Sequence, residues 1–390
     1  MKVLVISSKY QPEYSGSGLR AHNTYKRFEK KYRISFDILS NSILYQGNKK
    51  YKFDGVDVVR VSPPFKIPLK KSIWRTILII LGMFWEILYS WKFIRKNIDN
   101  YNLLHTFGNT WTIGFLTYYF YLKKKPIIRE LVNDTKTPYY PVQFKFFFKK
   151  VFQRENTLII AISKKLEELC IVNKVKNIWM RPNPVDENRF FQINKEDKYK
   201  LRSKLTNFSK DDIVLLHIAS YMKRKNHIFL LDIIKKLPNN YKLFLGGPVE
   251  NDEHKKIYSI INEKIKELNL EERVTLKKGF VENIDEFIKM CDVFLFPPWN
   301  EGLGTPILEA QACGIPIVAN SMLGSTGYWI KNNQGGFLVE NFNVNDWVDK
   351  VKMSLRIDKE TIDKNCQKIK IITSIRSIDK QYYEKFNDIL

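Results

Sequence analysis

The chain opens on KVLVIS (residues 2–7), a run of branched apolar residues that reads as a buried strand. A polar loop with two glycines follows over Gln11–Gly18, and a helical spacing of apolar positions runs from Leu19 to Lys31. Short apolar runs at Ile34–Leu39, Val56–Val61, Leu103–Phe107, Pro126–Arg129 and Leu158–Ile162 predict more strands, with apolar helices between them. Such alternation predicts a parallel sheet covered on both faces. At residues 181–197, RPNPVDENRFFQINKED, two prolines and a charged tail interrupt the pattern and read as a linker. The rhythm then restarts, with strands expected at Ile213–Ile218, Tyr241–Leu245, Val274–Leu276, Asp292–Phe296 and Ile315–Ala319. Helices are expected between them at Asn226–Leu237, Ile257–Leu268, Ile284–Met290 and Thr305–Cys313. The fold class is therefore α/β, with two Rossmann-like doubly wound domains, expected over 1–185 and 186–360, and a default ligand cleft between them. A polar helical segment, 361–390, is expected to pack back on the first domain.

Two stretches depart from this rhythm. Residues 72–91 are apolar, but their longest charge-free run, Thr76–Trp85, is ten residues between Arg75 and Glu86. A spanning helix needs about 20, so a buried or interfacial helix is expected. Residues 139–154, YYPVQFKFFFKKVFQR, mix phenylalanines with Lys145, Lys149, Lys150 and Arg154, a pattern suited to a helix on anionic lipid. Lys70, Lys71 and Arg75 flank the first stretch.

Length and composition agree with two packed domains: 390 residues, 44% of them hydrophobic. The net charge of +24 is unevenly placed. Residues 1–190 hold 34 Lys and Arg against 14 Asp and Glu, a surplus of 20, whereas the rest holds 31 against 27, a surplus of 4. A field so lopsided favours an anionic partner, with a lipid surface or phosphorylated acceptor ahead of nucleic acid, for which no motif is present. Cys170, Cys291, Cys313 and Cys366 form no CxxC pair and no zinc-ligand spacing, which fits a reducing cytoplasm. Met1–Ser8 turns polar too soon for a signal peptide.

The candidate chemistry lies in residues 291–320, CDVFLFPPWNEGLGTPILEAQACGIPIVAN. A buried strand ends at Pro297 and Pro298, a loop carries Glu301, Gly302 and Gly304, and Pro306 suits the first turn of a helix. Glycines allow close approach to the backbone, and a helix start turns free N–H groups towards an anion. Glu301 and Glu309, eight positions apart, suit hydroxyls rather than phosphates. A ligand with a central diphosphate and hydroxylated sugars at both ends is a nucleotide sugar.

This segment resembles glycosyltransferase family 4, retaining transferases of the GT-B fold. Its E-x7-E motif matches Glu301 and Glu309; RVTLKKGFVENIDEFIKMCDVFLFPPWNEGLG, NNQGGFLV, RPNPVDENRF and SKKLEEL are similar to the family's surrounding segments. The resemblance implies transfer of a sugar, with retained anomeric configuration, from a nucleoside diphosphate sugar bound by the second domain. The acceptor, a glycan or lipid-linked hydroxyl, would be taken by the first. It implies that Glu309 binds the ribose, that Glu301 meets the donor sugar, and that the backbone at Gly302, Leu303, Gly304 and Thr305 lies against sugar and phosphates. Lys225 matches the family's diphosphate lysine. Ser220 stands where the family has an arginine, with Lys223 or Arg224 as a substitute charge. Gly16 and Gly18 resemble the family's glycine-rich loop, with Arg20 following, and His105 stands where the family often has a histidine. A second familiar histidine is missing from REL-Val132-Asn133-Asp134, where Glu130 and Asn133 are the expected substitutes. There is no D-x-D triplet, so transfer without a metal or other cofactor is expected, with Lys225 and a helix start taking the cation's place. Cytoplasmic placement, peripheral on the inner face of an anionic membrane, follows from charge and resemblance together. The competing readings are another GT-B activity such as a nucleotide-sugar epimerase, or a catalytically inactive relative.

Overall fold

A computed structural model describes every residue except 14, 43–44, 69–71, 132–136, 140 and 323–324. The expected sites at Lys70, Lys71 and Asn133, and Tyr14 within the glycine-rich loop, lie outside the described residues. The chain divides into two compact units, one of Met1–Arg181 with Asp379–Leu390, the other of Pro182–Ile378. The boundary expected at 185/186 thus falls at 181/182. Of the segment expected over 361–390, only its last twelve residues group with the first unit.

In the first unit the elements run β1 (Lys2–Ser7), α1 (Gly16–Tyr32), β2 (Ser35–Asn41), β3 (Lys49–Phe53), β4 (Val56–Val61) and α2 (Ile73–Asn97). Next come β5 (Leu103–Phe107), α3 (Trp111–Leu122), β6 (Ile127–Leu131), α4 (Lys145–Val151), β7 (Thr157–Ala161), α5 (Lys164–Val172) and β8 (Ile178–Met180). The sheet order is β3-β4-β2-β1-β5-β6-β7-β8, parallel except at the β3 edge. β5, β6 and β7 are buried at every position, as expected of strands covered on both faces. Ser15, Ser72, Thr110 and Ser163 each accept a hydrogen bond from a backbone N–H three residues on, capping α1, α2, α3 and α5. β3, KKYKF, is a strand that the apolar pattern passes over: its lysines face water, as suits an edge.

The second unit runs α6 (Lys195–Leu205), β9 (Ile213–Ile218), α7 (His227–Lys236), β10 (Tyr241–Gly247), α8 (Asp252–Glu267), β11 (Val274–Lys278) and α9 (Ile284–Met290). It continues with β12 (Val293–Phe296), α10 (Thr305–Ala312), β13 (Ile317–Asn320), α11 (Thr326–Trp329), β14 (Gly336–Val339), α12 (Val344–Ser354) and α13 (Lys359–Thr373). Its sheet, β11-β10-β9-β12-β13-β14, is parallel throughout, and the order reverses between β9 and β12, which places a ligand crevice at their carboxyl ends. α14 (Ile375–Ile389) ends the chain and contributes its later turns to the first unit.

Within the first unit those turns close over a buried charge cluster. Glu130 on β6 pairs with Arg181 and with the Tyr382 hydroxyl, and Arg20 on α1 lies 3.1 Å from its other oxygen. Burial alone would raise this carboxyl; Arg181 and Arg20 outweigh it and bring its pKa down to about 2. Below its ordinary 4.5, a carboxyl stabilises the fold above that value and loses the contribution as pH falls through about 2. Glu130→Ala strips the shared carboxylate from two buried guanidiniums. It is expected to cost about 3–5 kcal/mol at neutral pH, read from urea unfolding followed at the first unit's transition.

Candidate functional site

Two loops at the carboxyl ends of β9 and β12 build the site. The first, residues 219–226, leaves β9 and turns tightly: Met222 N–H donates to the Ser220 carbonyl at 2.7 Å, and Asn226 takes a left-handed conformation before α7. Its path runs so close to β10 that a Cβ on Gly247 would sit 1.9 Å from the Ala219 carbonyl oxygen. The second loop, residues 297–304, joins β12 to α10. Gly304 has φ +74°, and a Cβ there would stand 3.1 Å from the Phe296 ring, so both conformation and space call for glycine. Pro306 occupies the first turn of α10. Asn320 holds the Pro298 carbonyl at 3.1 Å, Ser325 holds that of Leu303 at 3.2 Å, and Asn183 donates to the Thr305 hydroxyl at 2.9 Å.

The loops are joined by charge. Glu301 pairs with Lys225, and Arg224 reaches the same carboxylate oxygen at 2.9 Å and the Asn300 carbonyl at 3.1 Å. Trp299 N–H donates to the Arg224 carbonyl at 2.9 Å. Lys225 is largely buried; burial lowers its pKa and Glu301 opposes the change. Glu301 is pushed up by burial, but Lys225 and then Arg224 bring it below the usual range. The pair places a lysine and an arginine against one carboxylate beside the start of α10.

Glu309 lies one turn into α10, recessed, with its pKa raised by burial to about 7; Arg189 opposes the shift and Asp285 adds to it. Arg189 and Asp285 pair with each other at 2.7 Å. Behind Lys225, His217 on β9 and His227 on α7 lie with ring centres 4.6 Å apart. Burial lowers both, His217 to about 4, so neutral imidazoles rather than cations line the wall beneath the lysine. Neither pair was singled out from sequence. Arg189 stands in a Pro-rich linker and Asp285 96 positions on, and both histidines are isolated in apolar or basic runs.

Of the expected residues, Ser220, Arg224, Lys225, Glu301, Gly302, Leu303, Gly304, Thr305 and Glu309 all lie on these two loops and the first turns of α10. The Leu303 side chain is buried, so only its backbone can face a ligand. Arg224, on the same loop as Ser220, places a second cation against Glu301. Gly16, Gly18 and His105 belong to the first unit. A Cβ on Gly18 would approach the Lys9 carbonyl oxygen to 2.4 Å, so packing already requires glycine there, whereas Gly16 has open space around it. His105, expected as catalytic, lies within the packed interior of the first unit. It is fully buried, its Nδ1 lies 2.8 Å from the Tyr25 hydroxyl, and burial lowers its pKa to about 3. Glu130, expected as a substitute for the missing histidine, is likewise sealed in the cluster with Arg20 and Arg181.

Residues 199–369, most of the second unit, match the family described as glycosyl transferases group 1. Anabaena HepE, solved in complex with UDP and glucose, superposes with a TM-score of 0.73 at 17% identity, over 99% of each chain. The chain has the GT-B fold, and its second unit is similar to group 1 glycosyl transferases. An Escherichia coli UDP-Gal:alpha-D-GlcNAc-diphosphoundecaprenol alpha-1,3-galactosyltransferase is 26% identical over 57% of this chain and 58% of its own. The Campylobacter jejuni N,N'-diacetylbacillosaminyl-diphospho-undecaprenol alpha-1,3-N-acetylgalactosaminyltransferase is 25% identical over 60% and 57%. The chain therefore spans a little over half the length of either relative.

The raised Glu309 has a stability signature in the second unit. The folded carboxyl keeps a proton that the unfolded chain releases above 4.5, so stability falls as pH rises from 4.5 to about 7. Glu309→Gln removes that penalty. Its unfolding midpoint is expected to exceed wild type by a few degrees at pH 8 and to converge with it near pH 4.5, measured by differential scanning calorimetry.

Proposed function

We propose that this chain is a retaining glycosyltransferase that moves a hexosyl or related sugar from a nucleoside diphosphate donor to a hydroxyl of a glycan or lipid-linked acceptor. The observation that carries the reading is the Glu301 carboxylate held between Lys225 and Arg224 beside the glycine-lined start of α10. Lys225 and the positive end of α10 supply positive charge for a departing diphosphate, in a recess where water screens it weakly. Glu301 orients Lys225 and offers its remaining acceptor capacity to the donor sugar. Glu309 accepts from the ribose hydroxyls, with the Arg189–Asp285 pair beside it. As the bond from the anomeric carbon to the phosphate oxygen breaks, the acceptor oxygen attacks from the same face. Its proton passes to the leaving phosphate, and the configuration is retained.

Acceptors of the two relatives, named as diphosphoundecaprenol-linked sugars, support a lipid-linked acceptor and a role in cell-surface polysaccharide or glycolipid synthesis. The UDP and glucose in the HepE structure support a nucleotide-sugar donor. Placement is proposed as cytoplasmic and peripheral on the inner membrane face.

Lys225→Ala and Glu301→Ala are each expected to lower kcat by about 10²–10³-fold, with the double variant no worse than the slower single because the two side chains act as one unit. Turnover of a panel of nucleotide sugars, followed by nucleoside diphosphate release, checks this. The same assay after EDTA treatment is expected to show undiminished turnover, since side chains and α10 hold the diphosphate; loss of turnover restored by a divalent cation would refute that part.

A further inference from the structure

One face of α2 is apolar along most of its length and has nothing packed against it among the described residues. At helical spacing Ile73, Ile77, Ile80, Leu81, Phe84 and Leu88 form one stripe, and all are exposed, from 39% at Ile77 to 80% at Ile73. Trp74 beside them is 72% exposed. The other side of the helix is fixed: Gly82, Ser90 and Ile94 are buried, and α2 packs on α3 and β4. A Cβ on Gly82 would already touch Pro63 at 3.4 Å. The only charges between Ile73 and Leu88 are Arg75 and Glu86, which lie on the opposite side of the helical wheel, Arg75 donating to the Pro68 carbonyl at 3.0 Å.

α4 packs on α3, the helix that also carries α2. The mixed segment 139–154 divides by side: Phe148, Val151 and Phe152 enter the core, while Phe146 and Phe147 stay exposed with Lys145, Lys149 and Lys150. At the far end of α2, Lys92, Arg95 and Lys96 are exposed as well. Soluble monomers seldom leave apolar patches beyond roughly 300–600 Å² uncovered. The occupant is chosen by charge. A second copy seated on this face would bring the same lysines against these, whereas an anionic lipid surface satisfies stripe and cations together. α2 with the turn after it, Ile73–Asn100, is long and apolar enough to span a bilayer. Its inner side is committed to the protein, so it fits the interface plane instead.

We propose that α2 lies in the boundary between headgroups and acyl chains of an anionic bilayer, with the Ile73–Leu88 stripe in lipid and the lysines of α4 and of the end of α2 on the phosphates. This deepens the membrane placement proposed above and can fail independently of sugar transfer. The test is co-sedimentation of the full chain with vesicles of phosphatidylcholine alone or mixed with phosphatidylglycerol. Wild type is expected to bind the mixed vesicles and to be released in part by salt. Phe84→Glu, at an exposed position, is expected to weaken binding about tenfold or more while keeping the wild-type melting midpoint and nucleotide-sugar turnover. Equal binding to both vesicle types, or unaltered binding by Phe84→Glu, overturns the proposal. So does a lipid-free dimer that Phe84→Glu dissociates and vesicles do not, since the face then belongs to a second copy. Retention in the membrane after alkaline carbonate extraction overturns it in favour of a spanning helix.

Discussion

A single carboxylate, Glu301, holds two loops of the second unit together by taking both Lys225 and Arg224. Burial works against the charge of Lys225, and the Glu301 carboxylate is the main force in its favour. The rest of the site serves that pairing. Gly247 lets the first loop pass over β10, Gly304 lets the second turn into α10 against Phe296, and Asn320 fixes the Pro298 carbonyl between them. A cation preset on rigid backbone costs no reorganisation when negative charge develops on a leaving group, which is why such a pair suits transfer from a diphosphate.

Much of this was legible because local pattern and site coincide. The alternation of apolar strands and helices predicts both doubly wound sheets, and the loop before α10 carries its own glycines, proline and carboxylates in one short stretch. What escaped the sequence depends on distant partners. His105 sits at a strand end where a histidine can face a ligand; only the arrival of Tyr25 from α1 and of α14 shows it to be enclosed. Arg189 and Asp285 meet across the second unit, and neither position is marked by its neighbours. β3 escaped because an edge strand with lysines on its open side carries no continuous apolar run. The aromatic segment 139–154 could not be divided into core and surface without knowing which side of α4 meets α3.

The first unit combines two opposite uses of charge. Glu130, Arg20 and Arg181 are buried together, so the last turns of the chain are tied to the sheet by a cluster that tolerates no missing member. Its surplus cations lie instead on the surface, around helices whose apolar side chains point to solvent. Buried pairing and exposed surface charge therefore rest on separate sets of residues, which allows one to be altered without the other. In the second unit Glu309 is held at a cost to the fold that a neutral side chain would avoid.

The central claim is that the loops ending in Lys225 and Glu301 receive the diphosphate of an activated sugar. A crystal structure of the chain with a nucleoside diphosphate tests it most directly. The account predicts phosphate oxygens within hydrogen-bonding distance of Lys225 Nζ and of a backbone N–H at the start of α10, with the ribose hydroxyls on Glu309. A nucleotide bound away from residues 225 and 301–309, in a folded chain, would contradict it.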